Sequence, residues 1–150
     1  MKTKILVLLL AILPILSGCN NTENVKGMIT GKTWRLSCFM YNDDLITRYH
    51  NADEILKNNP NGFYLKFNEN NTFYGQAINC SFNGTWSGDG KTNDFSMNIT
   101  SIAGDDSQQV IATDFVKAVK AAYSYKGDDN ILSIYYKYNG SNEHMVFKVK

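Results

Sequence analysis

The stretch from Gly62 to Gly90, GFYLKFNENNTFYGQAINCSFNGTWSGDG, constrains the fold of this chain more than any other. Phe63, Leu65 and Phe67 alternate with Tyr64 and Lys66, the two-residue period of a strand buried on one face. Asn68-Glu69-Asn70-Asn71 is a turn composition, because asparagine tolerates left-handed backbone and bonds its own chain. Placing Phe67 opposite Phe73 sets Leu65 against Gly75 and Phe63 against Ala77, which keeps the large apolar groups on one face. Phe82, Gly84 and Trp86 continue that face in a third strand, and Ser87-Gly88-Asp89-Gly90 closes it.

The same reading extends in both directions. Over residues 33–40, Trp34, Leu36, Cys38 and Met40 take the inward phase, with Arg35, Ser37 and Phe39 outward. Residues 41–61 break the alternation with Asn42-Asp43-Asp44 and Asn58-Asn59-Pro60-Asn61, and residues 53–57 suit one or two helical turns. So long a segment either packs as a small subdomain or is mobile, and is either a functional loop or a plain insertion. After Gly90, Phe95, Met97 and Ile99 are inward. Gly104-Asp105-Asp106-Ser107 is a turn at which a helix over 108–123 starts. That helix carries Ile111, Phe115, Ala118, Val119 and Ala122 on one face, with the two aspartates near its positive end. Leu132, Ile134, Tyr136 and Tyr138, a hairpin turn at 139–142, and Met145, Phe147 and Val149 complete the pattern. Six to eight strands with one clear helix predict an α+β, mainly β domain: an antiparallel curved sheet or incomplete β-barrel packed with one α-helix.

A chain of 150 residues is long enough for one domain with one core, and 13% aromatic content suits a packed interior. The N-terminus reads as an address. Lys2 and Lys4 precede an apolar run from Ile5 to Leu16 that is short for a membrane span. Leu16-Ser17-Gly18-Cys19 then resembles the bacterial lipobox. The resemblance implies a lipoprotein signal peptide over 1–18, removed before Cys19, and acylation of Cys19, which makes the membrane a partner through lipid such as palmitate. An ordinary secretory signal with an incidental cysteine is the competing reading. Asn20, where an aspartate would favour the inner membrane, points to the outer membrane, on its periplasmic face or the cell surface. Residues 19–26 read as a tether and 27–150 as the domain. Without residues 1–18 the chain has 13 basic and 14 acidic residues, a net charge of −1, and no basic stripe for nucleic acid.

The order of motifs is similar to the META domain of HslJ-like bacterial lipoproteins. The residues that carry it are Gly31-Lys32-Thr33-Trp34-Arg35-Leu36, Phe63 to Phe67 with Gly75, and Asn79-Cys80-Ser81-Phe82-Asn83-Gly84-Thr85-Trp86. Asp114 to Val119, Tyr123 to Tyr125 with Asn130 to Leu132, and Met145 to Phe147 complete it. The resemblance covers about residues 29–150. It implies a non-catalytic domain with a structural or binding role in envelope maintenance or stress tolerance. The family often has a cysteine just before the helix, where this chain has Ile102-Ala103-Gly104. A lipocalin-like lipoprotein family has a similar opening, and implies instead a carrier of a small apolar ligand.

With Cys19 assigned to lipid, Cys38 and Cys80 remain. In an oxidising envelope they either form a disulfide, which across about 40 residues contributes roughly 3–4 kcal/mol, or stay as two separate thiols. His50 and His144 lack zinc-ligand spacing, and Asp43-Asp44 and Asp128-Asp129 lack a calcium loop. Ser87 and Ser133 have no nucleophile elbow. The expectation is no metal, no cofactor and no enzyme. By parity, Phe39, Tyr64, Tyr74 and Tyr135 point away from the core. They form either an exposed aromatic patch for an unknown protein or ligand, or a second core under a covering segment.

Overall fold

The computed structural model describes residues 21–150 apart from Thr47, His50 and Asp106. The proposed signal peptide and Cys19 lie outside the described residues. The elements run α1 (Asn21–Ile29), β1 (Thr33–Tyr41), β2 (Asp44–Leu45), α2 (Ala52–Asn58), β3 (Phe63–Phe67), β4 (Thr72–Ala77), β5 (Cys80–Gly88), β6 (Phe95–Ala103), α3 (Val110–Lys120), β7 (Ala122–Gly127), β8 (Ile131–Tyr138) and β9 (Ser141–Val149). One antiparallel sheet holds every strand, in the order β6-β5-β4-β3-β1-β9-β8-β7, with β2 paired to β1. It curls into a half-barrel. Its two ends meet at an Asp94–Ser124 bridge, where the Tyr125 amide donates to Asn93 O at 3.1 Å.

The central hairpin has the expected register: Phe67 opposite Phe73, Leu65 opposite Gly75 and Phe63 opposite Ala77. Gly75 makes room for a ring, since a Cβ there would lie 2.2 Å from Phe82. Inside the curl, Trp34, Phe63, Phe67, Phe73, Phe82, Phe95, Phe115, Tyr136 and Phe147 are each under 2% exposed or nearly so. They meet largely edge to face: Phe67 and Trp86 at 5.6 Å, Phe63 and Phe115 at 5.7 Å. Burial of this many rings is the main source of stability.

Four expectations are corrected. Residues 21–26 are not tether but the start of α1, which closes one end of the curl. Val25, Met28 and Ile29 fall at helical spacing, Val25 and Ile29 join the core, and the Trp34 indole donates to Ile29 O at 2.8 Å. There are therefore three described helices, not one. Secondly, α3 begins at Val110 with no acidic residue in its first turn, and Ala122 already belongs to β7. The Asp105 carboxylate instead accepts from the Ser107 amide at 2.7 Å.

Thirdly, Phe39 points inward, at 3% exposure, and Cys38 does not. The β1–β9 register shifts between Leu36 and Cys38, a bulge that adds one residue and inverts the phase beyond it. Fourthly, Cys38 and Cys80 are not bonded to each other. Cys38 is on β1 and Cys80 on β5, with β3 and β4 between them. Three strand steps are roughly 14 Å along the sheet, against a disulfide's Cα limit of about 7 Å.

The 41–61 segment is packed. β2 pairs with the end of β1, Tyr49 is buried, and Ile46, Ala52, Ile55 and Leu56 rest against the core.

Candidate functional site

Two arrangements of polar side chains stand out, one inside and one outside the curl. The inner one is centred on Arg48. Glu143 shares the inward phase of Met145 and Phe147 on β9, and Asp114 sits among Ile111, Phe115 and Ala118 on the buried face of α3. Both carboxylates are under 10% exposed. Buried carboxylates require partners. The Arg48 guanidinium donates to both Glu143 oxygens at 2.6 Å, and to the Tyr49 hydroxyl at 2.8 Å. Tyr49 donates onward to Asp114 Oδ2 at 3.0 Å, and Tyr136 donates to Glu143 Oε2 at 2.6 Å. The guanidinium lies between the rings of Tyr138, at 3.8 Å, and Tyr49, at 4.6 Å.

Arg48 and Lys117 face Glu143 and Asp114, so the charges balance. Burial works against the Arg48 charge, but its bonds to Glu143 and Tyr49 outweigh this and hold its pKa above the ordinary value. Burial pushes both the Tyr49 and Tyr136 hydroxyls up, so neither is an accessible base. Chemically, the network is a clamp. It ties the 41–61 segment to β9 and α3, and its bonds point at one another.

The outer arrangement lies on β4, β3, β1 and β9. Tyr64 and Tyr74 are half-buried with ring centroids 5.9 Å apart. Burial, reinforced by Tyr74, raises the Tyr64 pKa. Lys66 Nζ lies 5.7 Å from the Tyr64 ring, Arg35 pairs in register with both Tyr64 and Lys148, and Lys150 Nζ donates to Asn61 Oδ1 at 2.7 Å. A groove of about 230 Å³ runs between Arg35, Lys66 and Lys150, walled by Pro60 and Tyr64. Among the described residues these three cations have no ion-pair partner, unlike the inner ones.

Of the four residues expected in an outward aromatic patch, the structure brings Tyr64 and Tyr74 together. Phe39 is inside. Tyr135 stands apart, on β8, stacked on His144 at 4.9 Å. Cys38 borders a cavity of about 220 Å³ under the 41–61 segment, and burial pushes its thiol up. Cys80 is buried near α3. His50 lies outside the described residues. Among those described, no group of three metal-ligating side chains occurs.

Burial also lowers the His144 pKa, with Asp43 opposing. A base whose folded pKa is depressed takes up its proton more readily when unfolded. Stability is therefore fully present above the unfolded value of about 6.5 and declines as pH falls toward the folded value. The melting temperature is expected to drop between pH 7 and 5, and less steeply in His144→Gln; parallel slopes would exclude His144 as the cause.

The sequence matches the family described as a domain of unknown function, DUF4847, over residues 20–149. The chain belongs to the DUF4847 family. A crystal structure of a DUF4847 family protein from Bacteroides vulgatus shares the fold, with a TM-score of 0.63 at 22% identity, covering 83% of this chain and 96% of that one. At this identity the likeness concerns the fold alone. No curated protein matches. The α1 helix lies within the span matched to DUF4847, in keeping with its place in the core rather than in a tether. Arg48, Glu143 and Asp114 were missed by sequence reasoning, although Glu143 keeps the inward phase of its strand and Asp114 interrupts an apolar helix face.

Proposed function

We propose that this DUF4847 domain is a non-catalytic, lipid-anchored protein of the cell envelope, held at the outer membrane through Cys19, that acts by binding an anionic partner on its outer face. Its role belongs to envelope maintenance or stress tolerance, as the META/HslJ-like resemblance implies. One contrast carries the binding reading. The inner charges neutralise one another, whereas Arg35, Lys66 and Lys150 gather beside Tyr64 with no ion-pair partner among the described residues. A surface that presents cations with an aromatic wall suits an acid-bearing ligand. The lipocalin-like alternative, a carrier of a small apolar ligand, needs interior room that Trp34, Phe73, Phe115 and Phe147 occupy.

Three measurements test this. Cys19→Ser is expected to move the protein from the membrane pellet to the soluble fraction of its host; retention in the pellet would refute the anchor. The folded domain is expected to bind an acidic polysaccharide such as polygalacturonate, but not neutral dextran. Arg35→Ala with Lys66→Ala should weaken that binding at least tenfold and leave the melting temperature nearly unchanged. Equal binding of both polymers, or of both proteins, would refute the outer face. A small apolar molecule co-purifying in native mass spectrometry would favour the carrier.

A further inference from the structure

Strand β6 ends the sheet, and its outer edge is only partly covered. The bridge from Asp94 to Ser124 closes the lower seam, and β7 begins at Ala122 and runs away from there. Above Ser96 no strand among the described residues pairs with β6 on that side, and α3 runs alongside instead. Exposed edges are normally protected by charged side chains or proline. The nine residues of β6, FSMNITSIA, contain neither.

A bulge adds to this. The β5–β6 register shifts between Asn83 and Gly84, leaving Thr100 as the extra residue, so Ile102 comes opposite Phe82 and shares the inner face with Met97. Ile102 is nevertheless 47% exposed. Between it and α3 lies a groove of about 320 Å³, floored by Cys80, Ala112 and Val116 and rimmed by Lys117 and Lys120 on the helix side and by Asp105, whose carboxylate accepts from the Ser107 amide, on the other. Lys117 leans toward Asp114 at 3.5 Å; Lys120 has no ion-pair partner among the described residues.

We infer that the β6 edge and the α3 groove together form a docking site for an extended peptide segment of another protein, one with apolar side chains at alternate positions and a carboxylate near its end. The N–H and C=O groups of residues 97–103 that point away from β5 supply the ladder, and the groove takes side chains at its Ile102 end. Lys120, the rim cation with no ion-pair partner among the described residues, selects the acid. An acyl chain would fill the floor but make no use of the backbone edge, whereas a peptide engages both. This site is separate from the outer tyrosine face and stands whether or not that face binds.

The test is a display library of random linear peptides panned against the folded domain. Enriched peptides are expected to alternate apolar residues and to carry Asp or Glu. Their affinity should fall at least tenfold in Ile102→Asp and in Lys120→Glu, both surface changes, and remain unchanged in Arg35→Ala. Hydrogen exchange in the complex should slow at amides across 97–103. Binding without that protection, or binding indifferent to both variants, would overturn the inference. So would concentration-dependent self-association abolished by Ile102→Asp, since the edge would then pair with a second copy. Displacement of the peptides by oleate with no protection of β6 would assign the groove to lipid and also overturn it.

Discussion

Arg48→Ala is expected to cost about 3 kcal/mol, the largest effect of any single polar substitution in this domain. Removing one partner of a buried ion pair leaves an uncompensated charge, at roughly 3–5 kcal/mol. Here Glu143 would lose both guanidinium bonds and Asp114 its nearest delocalised cation. A 27% exposed Arg48 side chain places the expected loss at the lower end of that range. Water can reach the site and solvate part of what is left. Urea unfolding would show the loss as a lower midpoint at unchanged slope. Arg48→Met with Glu143→Leu should recover a large part of it, because neither charge then remains buried. A single-variant loss below about 1 kcal/mol would mean that the clamp is a surface ion pair of the ordinary kind. The clamp hypothesis has a local consequence as well. Without Arg48, amides of 48–58 should exchange faster than those of β3 and β4, since that part of the segment would be held mainly by the apolar contacts of Tyr49, Ala52, Ile55 and Leu56.

The clamp also shows where sequence reasoning succeeds and where it stops. The β3–β4 register is legible because aromatic phase and turn chemistry agree: phase puts Phe63, Leu65, Phe67, Phe73 and Ala77 on one side, and the turn at 68–71 selects the pairing of Phe67 with Phe73 among those that keep it. Phase arguments fail where a residue is inserted. The bulge near Cys38 leaves no compositional mark, so parity puts Phe39 outside and Cys38 inside, and the linear order alone leaves both a disulfide and two separate thiols open until the strand order fixes the distance between them. The α1 helix was hidden by polar neighbours, although Val25, Met28 and Ile29 carry its buried stripe. Glu143 and Asp114 each violate an apolar pattern visibly, and such violations mark functional or structural networks. Their partner Arg48 lies in an irregular segment with no period, so nothing in the linear order joins the three.

Phe115→Ala should have the largest effect among the apolar positions, about 3–5 kcal/mol. Phe115 is fully buried on α3, and its ring meets Phe63 at 5.7 Å, Phe82 at 6.0 Å and Phe147 at 6.1 Å. It is thus the side chain through which the helix fills the end of the curl between β3, β5 and β9. The three neighbouring rings belong to strands that each have a strand neighbour on both sides, so they cannot readily collapse inward and most of the cavity should persist. A persistent apolar cavity binds small aromatic molecules. Benzene is therefore expected to raise the melting temperature of Phe115→Ala by several degrees and leave the parent protein unmoved. That pair of results separates the two readings of the interior. If the parent protein also gains stability from benzene, or if the substitution costs less than about 1 kcal/mol, the curl already holds usable space beside Phe115. The ligand-carrier reading then displaces binding at the outer face.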